Sequence, residues 1–179
     1  MASLVSELDA TEVANDLDVL FRAHYGRLVR ALTLVAGSRE AANDAVQEAF
    51  VKAHLHWRRV RRYEDPVGWI RRVAINTLRD DHRRQGRKER AIERVAAEQR
   101  TDTKYTGAVQ WSDGADAGEL LASLPRQQRL AIALFYVEGL SVAEVAATLD
   151  ISEGAVKFHM HQGREKLKGI VASRKGELA

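Results

Sequence analysis

The chain has 179 residues and no cysteine, which excludes disulfides, a thiolate zinc site and a cysteine nucleophile. Hydrophobic residues make up 45% and charged residues 30%, the balance of a soluble, mostly helical protein of one domain or two small ones. The net charge is only +3, yet residues 1–51 carry four Arg/Lys against eight Asp/Glu, and residues 52–100 carry fifteen against seven. From Lys157 to Lys175 there are six bases and one acid, so two separated basic patches leave the footprint of a polyanion binder. Neither patch sits opposite a broad Trp/Phe/Leu face, which argues against a membrane surface as the partner. No apolar run approaches the roughly 20 residues needed to span a bilayer, and the acidic N-terminus lacks signal-peptide features. No membrane insertion and a cytoplasmic location are the expectations.

Residues 1–15 read as an N-terminal tail. Leu17, Phe21, Tyr25, Leu28 and Leu32 then share one helix face. Gly37 stops that helix and Ser38 caps the next, which runs to about His56 with Ala42, Ala45, Val46, Ala49, Phe50 and Ala53 inward. Asp65-Pro66 restarts helix: an Asp cap is followed by proline at the first helical position, where its missing N–H costs nothing. Ile70, Val73, Ala74 and Thr77 face inward from there, and a weaker helix covers Lys88 to Gln99. Residues 100–118 lose periodicity and gain Gly, Asp and Thr, which reads as a flexible linker. Helix resumes at Glu119, and Leu124-Pro125 opens another through Tyr136. The expected fold is all-α: a helical domain over 16–99, the linker, and a second helical domain over 119–175.

The second domain contains a helix-turn-helix. Gly139 suits the left-handed end of one helix, and Ser141 with Glu144 forms a capping box for the next. Asp150-Ile151 turns, and Ser152 caps a second helix. Val156, Met160, Gly163, Leu167 and Ile170 form its core stripe. Lys157, His161, Arg164 and Lys168 form the neighbouring stripe, with Phe158 and Gln162 beside it. A cationic, donor-rich face on a second helix is what a major groove requires.

Two further surfaces could carry function. Asp44, Gln47, Glu48, Val51 and Leu55 lie together on the helix after Ser38, away from its core stripe. They read either as a docking face for a basic, partly apolar protein or as a solvated flank. The segment HWRRVRRYED gathers Arg58, Arg59, Arg61 and Arg62 with Trp57 and Tyr63, and the following helix aligns Arg72, Asn76, Arg79 and Arg83. Arginines bind phosphate, and aromatics among them suit unpaired bases. Trp69 reads rather as core.

Nothing in the chain resembles catalytic machinery. His54/His56 and His159/His161 point to nearly opposite faces as helical pairs two apart, so no metal site is expected. Phosphate loops and nucleophile elbows are absent from the sequence. Asp80-Asp81 reads as an intrahelical charge partner within a basic helix. Neither enzyme activity nor a cofactor is expected.

Taken in order, the motifs resemble those of bacterial extracytoplasmic-function (ECF) sigma factors. AANDAVQEAFVKAH resembles the core-polymerase-binding motif of that family, PVGWIRRVAINTLRDDHRR its promoter-melting helix, and LPRQQRLAIALFYVEGLSVAEVAATLDISEGAVKFHMHQGREKLK its −35-reading domain. The resemblance covers about residues 17–88 and 119–172. It implies that Asp44, Gln47, Glu48 and Val51 dock on the β′ clamp helices of RNA polymerase. It implies that Trp57, Arg58, Arg59, Arg61, Arg62, Arg72, Asn76, Arg79 and Arg83 engage the −10 element. Ser141, Lys157, Phe158, His159, His161, Gln162, Arg164 and Lys168 would meet the −35 element. Core polymerase, through the β′ clamp helices and the β flap, and promoter DNA are the implied partners, and the family commonly adds an anti-sigma factor. The chain departs from the family where a small hydroxyl residue and an arginine are usual, at Phe158 and His159, and where arginine is common, at Gln162. The competing readings are a stand-alone helix-turn-helix regulator, which has no need of the Asp44–Val51 face, and, more remotely, an RNA-binding or RNA-modifying protein.

Overall fold

The structure is a computed structural model that describes residues 2–96 and 115–177. Eight α-helices are present there: α1 (Ala2–Ala36), α2 (Arg39–Leu55), α3 (Trp57–Val60), α4 (Pro66–Ala96), α5 (Ala115–Ala122), α6 (Arg126–Ala133), α7 (Val142–Leu149) and α8 (Glu153–Glu177). A π-helical turn, Leu134–Glu138, continues α6. No strand occurs among the described residues. The architecture is all-α, with an N-terminal helical unit (α1–α4) and a C-terminal one (α5–α8) that carries the helix-turn-helix.

Local signals set the helix boundaries. Gly37 adopts φ 73°, and its N–H reaches the Thr33 carbonyl at 2.8 Å, which closes α1. Ser38 then accepts from the Ala41 N–H at 3.2 Å and starts α2. The Asp65 carboxylate accepts from the Gly68 N–H at 2.8 Å at the head of α4. At α7 the capping box is complete. The Glu144 N–H donates to the Ser141 hydroxyl oxygen at 3.2 Å, and the Ser141 N–H and hydroxyl donate to the Glu144 carboxylate at 2.8 and 2.7 Å. Asp150 takes the left-handed conformation, φ 56°, in the turn before α8, and Ser152 accepts from the Ala155 N–H.

Small side chains let the N-terminal helices approach closely. Ala42, Ala45, Ala49 and Ala53 of α2 are fully buried beside Leu28 and Leu32 of α1 and Ile70 and Ala74 of α4. Each fully buried aliphatic there contributes about 1.5–3 kcal/mol relative to exposure. In the C-terminal unit, Val145 of α7 and Val156 and Met160 of α8 close over Leu130, Ala133 and Leu134. These residues are continuous with those of α1, α2 and α4 in one core. Helix α1 packs against α2 and α4 on one side and against α5, α6 and the π turn on the other, while α4 meets α7. The two units therefore share a core rather than owning one each.

Several expectations change. Helix α1 extends back to Ala2, through the stretch expected as a tail. Helix α4 runs unbroken to Ala96, so the weaker helix from Lys88 is its continuation. Helix α5 begins at Ala115, inside the expected linker, whose residues up to 114 lie outside the described ones. The helix from Pro125 leaves α geometry at Leu134 because the Gly139 N–H bonds back to the Leu134 carbonyl. Phe21 was expected inward, yet it is 39% exposed. It stands at the rim, its ring against Tyr25 and Phe50 at centroid distances of 4.4 and 5.0 Å.

The capping box can be tested by stability. Ser141→Ala should cost about 1 kcal/mol, within a range of roughly 0.5–2, read as a lower urea midpoint at unchanged slope. Bonds from the Ser141 backbone N–H, and next from its hydroxyl, hold the Glu144 carboxyl below the usual carboxylate range. Its contribution is therefore complete above the ordinary carboxylate range and is lost as pH falls through the lowered value. Glu144→Gln should flatten that acid-side slope in urea titrations at successive pH values.

Candidate nucleic-acid interface

Helix α8 presents the clearest surface. At about 100° per residue, Lys157, His161, Arg164 and Lys168 fall within one narrow stripe. All four are exposed, as is Gln162, while Val156, Met160 and Gly163 are buried behind them. Phe158 is 59% exposed, a large apolar ring in water. Lys157 lies 3.8 Å from Glu153 and Lys168 2.7 Å from Glu165, both on the surface. Exposed ion pairs of this kind hold their partners weakly, so these cations stay available to phosphate. Tyr136, read from the sequence only as a helix end, adds an exposed phenol whose oxygen lies 3.4 Å from an Arg164 guanidinium nitrogen.

Two residues assigned to this surface sit elsewhere. His159 lies nearly opposite the cationic stripe in helical phase and is half-buried, its ring against Phe158. It cannot share a groove with Lys157. The Ser141 hydroxyl is engaged in the cap of α7. Both positions were open to correction from helical phase and capping rules alone.

The second basic surface runs over α3 and α4. Arg58, Arg59, Arg61 and Arg62 are exposed around the single turn of α3. Trp57 is only 5% exposed and belongs to the core, so it cannot stack on a base as expected. Trp57 and Val60 stand three apart on one short helical turn, which puts both inside together. Trp69 is half-buried, as expected, with Tyr63 beside it at a centroid distance of 6.4 Å. Arg72, Asn76 and Arg79 are exposed along α4; the Arg83 side chain lies outside the described residues. Arg72, Asn76 and Arg79 line one wall of a cleft whose other wall includes Arg126, Gln127, Thr148, Leu149 and Asp150 of α6 and α7.

A buried ion pair also joins the two units. Arg71, next to Arg72 on α4 but turned inward, is 5% exposed, and Glu138 at the end of the π turn is 4% exposed. The Arg71 Nε–H donates to Glu138 Oε1 at 2.7 Å, and Asp65 stands 3.9 Å from the same guanidinium. Burial pushes the Glu138 carboxyl up, and the bond from Arg71 opposes that rise. Arg129 makes a second tie between the units: it donates to the Val35 carbonyl at the end of α1 at 2.9 Å, and to those of Ala122 and Leu124.

The third surface is the outer face of α2. Asp44, Gln47 and Glu48 are exposed, and Val51 and Leu55 are 57% and 70% exposed beside them. Lys52 pairs with Glu48 within this face. Of the acid pair in the basic helix, Asp81 lies 3.6 Å from Arg84, an intrahelical partner as expected. No cluster of metal-ligating side chains occurs among the described residues, and none of their helices is long and apolar enough to cross a membrane.

Comparison with known proteins places the chain in a family. Residues 20–88 match sigma-70 region 2, and residues 115–167 match sigma-70 region 4. The ECF RNA polymerase sigma factor SigE of Mycolicibacterium smegmatis is 33% identical over 169 residues, which cover 90% of this chain and 64% of that protein. SigM of Mycobacterium tuberculosis is 32% identical over 172 residues, covering 93% and 84%. CarQ of Myxococcus xanthus, an RNA polymerase sigma factor, is 30% identical over 166 residues, covering 89% and 91%. In fold, the chain resembles the sigma factor RpoE of Bartonella quintana, solved with the anti-sigma factor NepR, at a TM-score of 0.68 and 20% identity over 88% of this chain and 97% of that one. With regions 2 and 4 matched in order and relatives of this identity aligned over most of their length, the chain belongs to the ECF group of RNA polymerase sigma factors.

Proposed function

We propose that this chain is an initiation subunit that docks on core RNA polymerase through α2, engages the −10 element with α3 and α4, and meets the −35 element with α8. The observation that carries the docking role is the pair Val51 and Leu55, 57% and 70% exposed among Asp44, Gln47 and Glu48. An acidic rim around apolar residues complements a basic, partly apolar partner. A stand-alone regulator has no use for such a face. Polymerase performs the chemistry, and the chain acts inside the cell where polymerase and promoters are. Among the solved structures it resembles, the sigma factor RpoE was captured with the anti-sigma factor NepR and CnrH with the cytosolic domain of CnrY, and an anti-sigma factor is the expected control on this chain.

At the promoter, Arg58, Arg59, Arg61 and Arg62 neutralise backbone phosphate, while Arg72, Asn76 and Arg79 reach the −10 strand. Asn76 offers a donor and an acceptor to a base edge. Lys157, His161, Gln162 and Arg164 enter the −35 major groove, with Lys168 further along the same stripe at the phosphates. Phe158 contacts a thymine methyl group from the edge of that face. The helix carries fewer cations than is usual in the family, so more of its preference rests on this apolar contact.

Two measurements test these roles. Glu48→Lys should abolish stoichiometric binding to sigma-free core polymerase, measured by size exclusion or fluorescence anisotropy, and leave the far-UV spectrum unchanged. Retention of full affinity would remove α2 as the docking face. For α8, Lys157→Ala should weaken promoter binding by the holoenzyme and reduce the slope of log affinity against log salt by about 1 if the ammonium meets phosphate. An unchanged slope with unchanged sequence preference would take Lys157 out of the interface.

A further inference from the structure

We infer that Tyr136 and Arg164 form a phosphate clamp, in which both side chains donate to one phosphate of the −35 duplex. Tyr136 lies before the helix-turn-helix, so the clamp adds a DNA contact from outside that motif. The inference rests on the assignment of α8 to the −35 element above.

The first support is position. Tyr136 projects from the π turn and is 56% exposed. Its ring meets that of Phe135 edge-on at a centroid distance of 5.0 Å, and Phe135 in turn packs on the core. The phenol is therefore braced on one side and open to solvent on the other. It reaches α8 at Arg164, where its oxygen lies 3.4 Å from a guanidinium nitrogen. Arg164 stands seven residues beyond Lys157, about 10 Å further along the helix at 1.5 Å per residue. The head of a groove-reading helix meets base edges. With a major groove only about 12 Å wide, a residue displaced that far comes to the groove wall, where the phosphates lie. Tyr136 touches Arg164 from outside α8 and so stands at the same wall.

The second support is the bonding of the two groups. A guanidinium has only donors, so the phenol oxygen accepts from Arg164, and the hydroxyl hydrogen has no acceptor among the described residues. That hydrogen and the remaining guanidinium N–H groups can converge on one anion. At 3.4 Å the bond between them is long, which leaves both groups room to turn toward it. The neighbouring cations are held differently. Lys157 and Lys168 stand beside the carboxylates of Glu153 and Glu165. Arg164 forms no ion pair among the described residues and is placed by an uncharged hydroxyl instead. Its charge therefore remains for DNA, and no ion pair has to break as a phosphate arrives. Tyrosine and arginine are both regular donors to DNA phosphates, and such contacts fix register without reading sequence.

The probe is a promoter duplex selected with the holoenzyme from a pool randomised over both elements, and the readout is holoenzyme affinity. Tyr136→Phe keeps the ring and removes only the hydroxyl. It should weaken binding about threefold to tenfold, equally for every −35 sequence tested. The slope of log affinity against log salt should stay unchanged, since no charge is lost. Arg164→Ala should reduce that slope by about 1. The loss in the double variant should be smaller than the product of the two single losses. Neutral methylphosphonate, placed at the −35 phosphates one at a time, should find a single position where both single variants lose less affinity than the unaltered chain. Full affinity of Tyr136→Phe, single losses that multiply fully, or different sensitive phosphates for the two variants would overturn the clamp. A loss from Tyr136→Phe that depends on one base pair would overturn phosphate as its target. In each of those cases the role of α8 stands if Lys157→Ala still weakens binding. If Lys157→Ala and Arg164→Ala both leave affinity unchanged, α8 is not the −35 reader and the clamp falls with it.

Discussion

Helix α1 is gripped from two sides, and the rest of the molecule depends on that. Leu28, Val29, Leu32 and Val35 are buried because α2 and α4 press on one flank and α5, α6 and the π turn on the other. An amphipathic helix normally offers one apolar stripe to one core. Here the stripe is wide enough to serve two units, and the boundary that the sequence draws near residue 100 has no counterpart in the packing. Every functional surface is placed by this sharing. It brings α4 to α7, turns Glu138 toward Arg71, and leaves α2 and α8 facing outward.

What could be read in advance was local. The Gly37-Ser38 junction, the Asp65-Pro66 restart, the Ser141–Glu144 box and the core stripe of α8 each depend on residues within a few positions of one another, and each is present as expected. The exposed stripe of Lys157, His161, Arg164 and Lys168 was legible for the same reason. Trp57 was misjudged because composition suggested a basic loop, whereas one turn of helix put the indole inside. The position of His159 follows from helical phase, which its basic neighbours obscured. The Arg71–Glu138 pair could not be found this way. Arg71 looks like one arginine among several, and only the topology brings a carboxylate to it. A lone acid in the apolar run ALFYVEGL was the one available hint, since an unpaired carboxylate in such a setting calls for a partner.

The surfaces differ in how they hold their charges. On α8 the cations are tethered only by exposed neighbours such as Glu153 and Glu165, interactions worth little in water. They can change partner when DNA arrives. On α2, Lys52 covers Glu48 in the same loose manner, so a docking partner has one weak contact to displace. Arg71 and Glu138 are different: they exclude water, and their attraction survives salt that would screen the surface pairs. Ionic strength therefore tunes contact with DNA more than it tunes the shape of the free chain.

The π turn at Leu134–Glu138 carries a consequence for how this protein can diverge. A π turn accommodates one residue more than α-helical geometry allows. Loss of a single codon between Leu134 and Gly139 would restore regular winding and swing the position of Glu138 by about 100°. The left-handed Gly139 and the capping box beyond it would survive, so the groove-reading helix would still form. The charged contact with Arg71 would not. A family member could thus trade a charged joint for a plain apolar seam, or acquire one, by one in-frame insertion or deletion outside the groove-reading helix.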